Sequence, residues 1–222
     1  MKKHLKMIID IVMLIFMIVL MGYFTIETQT HEILGTVTIV LFIIHLFLNK
    51  QWLLTLGKGR YSFHRMIYLC INILLIIALI FVIISSLMIS SYVFSFLPFS
   101  TSQIGRNMHL ASTSWLFILI SLHIGLHMNV LASQMKRKMK KSTFEYIYYF
   151  ILIVWYIYGI IAFKNAELYK DMFIISEFKF FDYQMNPFLF YFNYLSIVYF
   201  LSMTIHLLMK RRKTKMKFIE NK

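Results

Sequence analysis

The sequence predicts an all-α integral membrane protein of six transmembrane helices, in which a four-helix bundle is followed by a two-helix C-terminal appendage. Three observations carry this expectation. The 222 residues are 60% hydrophobic and only 14% charged, where soluble domains are about 45–50% apolar and about 25% charged. The apolar residues gather into six runs, each near the roughly 20 residues that cross a bilayer as a helix. Polar and basic residues collect in the short segments between the runs. The formal net charge of +14 would invite nucleic acid as a partner. Its confinement to loops between apolar spans argues instead for membrane lipid and no nucleic acid.

The first span covers Leu5 to Phe24, behind a basic start (Lys2, Lys3, Lys6) that resembles a signal peptide. No A-x-A-like cleavage site follows, so the segment is expected to stay as a helix. The second runs from His31 to Asn49 after a short loop with Glu27. A basic linker with Lys50, Lys58, Arg60 and Arg65 leads to the third, Arg65 to Ser91. Sequence around Pro98 opens the fourth, Arg106 to Ala132. The cluster KRKMKK at 136–141 separates it from the fifth, Phe144 to Phe163. An aromatic stretch at 178–183, FKFFDY, is expected along the interface. Asn186 and Pro187 read as cap and first residue of the sixth span, which ends near Lys210. The units are thus residues 1–133 as a core of two helical hairpins, 142–210 as two further spans, and 211–222 as a basic tail.

The basic segments at the N-terminus, at 50–65, at 136–141 and beyond Lys210 fall on one side of this topology. By the positive-inside rule that side is cytoplasmic, so both termini are expected inside the plasma membrane. The single cysteine, Cys70, lies within a span and offers neither disulfide nor thiolate metal motif.

Histidines inside apolar spans are the sharpest functional signal, because an intramembrane ionisable residue is costly. His109 and His123 are 14 residues apart in the fourth span, and His31 and His45 repeat that spacing in the second. Fourteen residues is roughly four helical turns and about 21 Å, which places each pair on one face, at two depths. The two spans run in the same direction, so His31 meets His109 in depth and His45 meets His123. Two imidazoles converging inside an apolar bundle are what a six-coordinate haem iron requires, and two such pairs imply two haems. Interhelical hydrogen bonding or proton relay is the competing use of these histidines. Zinc or copper would ask for three or four ligands at one depth.

His127 lies one turn beyond His123 on the same face and aligns angularly with His109, whereas depth favours His123 as the partner of His45. His127 is then expected at the cytoplasmic rim. Gly35 and Gly125 would let either a flat macrocycle or a neighbouring helix come close. Arg106, one turn before His109, is placed either for a haem propionate or for solvent. His4 and His64 border basic loops, and His206 has no partner at matching spacing. No Gly-rich phosphate loop occurs, so flavin, nicotinamide or iron–sulfur chemistry would come from a partner.

HExxG at His31–Gly35, HxxxN at His45–Asn49, RxxH at Arg106–His109 and HxGxH at His123–His127 together resemble the flavinylation-associated membrane cytochromes. The spacing on parallel helices is also similar to the haem core of respiratory cytochrome b. The resemblance covers roughly residues 5–132. It implies b-type haem in a four-helix core, passing electrons across the membrane, often to an extracytoplasmic FMN-binding protein; quinol or a membrane dehydrogenase is the expected donor. A ferric-reductase-like activity and a haem-free transporter or assembly subunit are the alternatives.

Overall fold

The protein is described by a computed structural model covering residues 2–56, 62–98, 102–138, 143–175 and 184–220. Eight helices are found among these residues: α1 (Lys2–Met21), α2 (Thr28–Leu48), α3 (Gln51–Leu54), α4 (Phe63–Ile89), α5 (Gln103–Lys138), α6 (Thr143–Asn165), α7 (Leu168–Met172) and α8 (Pro187–Glu220). A single 3₁₀ turn, Tyr23–Thr25, joins α1 to α2. Six helices carry windows long and apolar enough to cross a membrane, from His4–Met21 to Pro187–Lys210. The chain is therefore a multi-pass membrane protein. A helix is the form such a run must take, because hydrocarbon offers backbone groups no partners outside the segment.

The helix starts follow local chemistry. Asn186 Oδ1 accepts from Phe188 N at 2.8 Å, capping α8 with Pro187 at its first position, as the sequence predicts. Ser62 does the same for α4 by accepting from Arg65 N at 3.3 Å. Both α5 and α8 continue as helix beyond their apolar windows, to Lys138 and Glu220. The FKFFDY stretch at 178–183 lies outside the described residues, as do residues 139–142 of the linker with its basic cluster.

Helix α1 packs on α2, and α4 packs on α5. The last two spans depart from the expectation of an appendage. α8 packs along α5, meets α1 and carries α6 on its other side. Its Tyr194, Ile197 and Val198 share one buried cluster with Phe117 of α5, Leu75 of α4 and Met17 of α1. Small residues make that approach possible. A Cβ added at Gly125 would lie 2.2 Å from the Ser202 carbonyl oxygen, and one at Gly159 of α6 would lie 2.5 Å from that of Ser196. Ser202 Oγ donates across the α5–α8 seam to Ser121 O at 2.6 Å, and Trp155 Nε1 to Ser196 Oγ at 2.8 Å.

α2 is the outlier. None of its residues is buried. It lies along α1 and packs closely on no other helix. Ile33, Val37, Val40, Ile44 and Phe47 form its exposed face, while His31, Gly35, Thr38, Phe42 and His45 form a half-buried face. The closely packed core is thus built from α1, α4, α5, α6 and α8, and the four-helix bundle expected from residues 1–133 is not closed on the α2 side.

Candidate functional site

The half-buried face of α2 meets the α4–α5 hairpin at its His31 end, while at its other end His45 and Asn49 bond to Asp10 and Lys6 of α1. At one end the His31 and His109 rings lie with centroids 6.3 Å apart and planes at 69°. A metal–imidazole bond of roughly 2 Å on each side, plus roughly 1 Å from nitrogen to ring centre, spans about the same distance. His109 reaches Ser85 Oγ through Nδ1 at 3.2 Å, with Ser86 Oγ at 3.4 Å. Ser85 Oγ already donates to Val82 O at 3.0 Å, so toward His109 it accepts. That leaves Nε2 of His109 as the ring nitrogen that could bind a metal. His31 packs edge-on against Tyr23, and its buried Nδ1 has no partner.

Glu32, beside His31, fixes this end of α2. Its carboxylate accepts from Ser90 Oγ at 2.7 Å and from the backbone N–H groups of Ser91, Tyr92 and Val93 at 2.8, 3.0 and 2.9 Å. These donors follow the last turn of α4, so the clasp sets the depth of His31 against His109.

The other end gathers His45, His123 and His127. His45 donates from Nδ1 to Asp10 Oδ1 at 2.7 Å. Its Nε2 has the Asn49 amide at 3.5 Å, at the limit of a hydrogen bond. Asn49 is better engaged with His45 O, at 2.9 Å, and with Lys6 Nζ, at 3.1 Å. His123 donates from Nδ1 to Asn72 Oδ1 at 2.9 Å. His127 is exposed, its ring 4.9 Å from that of His123 and 5.7 Å from Tyr68, whose hydroxyl donates to Leu126 O. His45 and Asp10 lie near enough to act electrostatically on both His123 and His127.

A common arrangement emerges for three of the four paired histidines. Nδ1 is taken by a side chain from the other helix of the same hairpin: Asp10 for His45, Asn72 for His123 and Ser85 for His109. Metal-ligating histidines are oriented in this way, with one ring nitrogen held and the other presented. The spacing of His31 and His109 fits a bis-imidazole group at one depth, and at the other His45 and His123 each have Nδ1 engaged in the manner such ligands use. Among the described residues no group of three or more His, Cys, Asp or Glu is placed to hold a metal ion.

The remaining candidates separate. Gly35 has nothing within 4 Å of an added Cβ, so the half-buried face of α2 is open beside His31. Gly125 is corrected: its close neighbours are Ser202 and Ile205 of α8, so the approach it permits is between helices and not toward a macrocycle. Arg106 is exposed, one turn before His109. His64 donates from Nε2 to Met209 O at 3.1 Å, tying α4 to α8. His206 is buried on α8 with its Nδ1 unpartnered. Asp10, Asn72 and Ser85 were not singled out from the sequence. Each interrupts an apolar run (MIIDIV, LCINILL, FVIISSLM), which is the signal that could have found them. The chain matches no protein-family model, no curated protein and no solved structure.

Proposed function

We propose that this chain is a b-type di-haem membrane cytochrome that carries electrons across the cytoplasmic membrane. The donor is quinol or an inner-face dehydrogenase, and the acceptor is an extracytoplasmic protein carrying flavin. One observation supports the reading: the His31 and His109 rings of α2 and α5 lie 6.3 Å apart, and Nδ1 of His109, His45 and His123 is in each case held by the neighbouring helix.

His31 and His109 would hold one haem, and His45 and His123 the other. A bound haem supplies one-electron redox chemistry. Asp10, Asn72 and Ser85 orient three of the ligand rings and fix their tautomers. Glu32 holds α2 at the depth where His31 opposes His109. In a bilayer the apolar flanks of α2, α4 and α5 would face lipid rather than water. His127 stands at the rim of the His45 site, and Arg106 is within a turn of the other, where a propionate would be met. The placement of basic residues supports a cytoplasmic side for the His45 end and both termini.

The His45–Asp10 hydrogen bond favours one other reading, a haem-free transporter that moves protons through the same histidines. An optical spectrum separates the two. Protein purified from a haem-replete host should show a dithionite-reduced low-spin b-type spectrum with about two haems per chain. No Soret band under those conditions would leave the transporter or assembly-subunit reading in place. Haem that is reoxidised by ferric chelate as fast as by any flavin carrier would favour a ferric reductase.

A further inference from the structure

The two histidine sites differ in what each ring donates to. At one end the acceptors are a carboxylate, Asp10 at 2.7 Å from His45, and an amide carbonyl, Asn72 at 2.9 Å from His123. At the other end they are hydroxyls, Ser85 at 3.2 Å and Ser86 at 3.4 Å from His109, and nothing at all for the buried Nδ1 of His31. A stronger acceptor draws the Nδ1 proton away and makes the opposite nitrogen the more basic ligand. More basic ligands stabilise the higher oxidation state of an iron centre and lower its reduction potential. Both ligands at the His45 end are the more polarised of their kind, so the two contributions add.

We propose that these hydrogen bonds build a redox gradient along the bundle: the His45–His123 site is the more reducing of the two, and Asp10 is the residue that makes it so. The inference rests on the di-haem reading and gives the direction proposed there a physical cause in this chain's own residues. Electrons run downhill from the His45 end to the His31 end, one lost at the first site for each gained at the second. A quinol donor at the His45 end gives up two electrons in two such passages and releases two protons there. A flavin-class acceptor at the His31 end takes up the two electrons, with its protons drawn from the water on that side.

Three other charges lie nearby: Arg106, one turn before His109, acts in the same sense as Asp10, and Glu32 beside His31 and Lys6 beside Asn49 act against it from positions not bonded to a ring. Lys6 donates to Asn49 and not to a ring, and Glu32 is engaged by four donors beyond the end of α4. Among the described charged side chains, only Asp10 is bonded to one of the four rings.

The test is a spectroelectrochemical titration of the full-length haem-loaded protein, with His45→Ala used to assign which component belongs to that end. The His45 component should titrate at the lower potential. Asp10→Asn keeps the side-chain shape and removes the charge. It should raise that component alone, lowering the equilibrium constant for electron passage between the sites by about tenfold, or about 59 mV for one electron. Asn72→Asp adds a carboxylate against His123 and should move the same component the opposite way, which a merely structural role would not do. If Asp10→Asn fails to bind haem, Asn72→Asp alone decides. A His45 component at the higher potential, or midpoints that ignore both substitutions, would overturn the gradient while leaving the di-haem reading intact. Absence of haem from the unaltered protein would overturn that reading itself.

Discussion

One methyl group at Gly125 is expected to lever α8 away from α5. A Cβ there would sit 2.2 Å from both Ser202 O and Ile205 Cγ2, against the roughly 3.5 Å at which non-bonded heavy atoms rest. One of the two obstacles is backbone, so no rotamer change relieves it and α8 has to shift by about 1 Å. Such overpacking costs about 1–3 kcal/mol. The shift also stretches the buried bond from Ser202 Oγ to Ser121 O, now 2.6 Å, for about 1 kcal/mol more. The higher helix propensity of alanine returns about 1 kcal/mol. Gly125→Ala should therefore destabilise by about 1–3 kcal/mol. For a chain of this size that lowers the melting temperature by roughly 3–10 °C. Thermal unfolding of the purified protein in detergent, followed by tryptophan fluorescence, measures it. Gly35→Ala is the matched control, since nothing lies within 4 Å of its added Cβ, and it should melt at or slightly above the wild type. Equal melting temperatures for Gly125→Ala and the wild type would refute the close approach of α8. A lost haem spectrum with unchanged melting would mean that Gly125 faces the cofactor after all.

Other outcomes follow from the same contacts. Glu32→Ala removes an acceptor of four hydrogen bonds. With part of that deficit met by solvent, it should cost about 1–3 kcal/mol and weaken the haem component assigned to His31 and His109 while sparing the other; pyridine haemochrome stoichiometry reads the loss. His123→Ala should empty the His45 site and His127→Ala should not, because His123 is the one held by Asn72. The reverse pattern would move the α5 ligand by one turn. A chain ending at residue 141 should aggregate or melt early in detergent, since it uncovers Phe117, whose ring packs on Tyr194 of α8, and the Ser121–Gly125 face that meets Ser202. A monodisperse product with an unchanged haem spectrum would show that residues 1–141 stand alone.

Composition and spacing were enough to determine the six spans and the cap at Asn186. Each depends on one segment meeting lipid or on residues a few positions apart, and a linear sequence records both directly. The alignment in depth of His31 with His109 was also legible, because a helix turns spacing into position. Which helices touch was not. In hydrocarbon an apolar face gains nothing by choosing one apolar neighbour over another, so the choice falls to small residues and to hydrogen bonds between helices. Ser121 and Gly125 could have met any helix, and only the fold shows that Ser202 of α8 answers them. Asp10, Asn72 and Ser85 likewise read as isolated polar breaks until the hairpins set them against His45, His123 and His109. Their roles belong to pairs 24 to 51 residues apart, and that pairing exists only once the helices have packed.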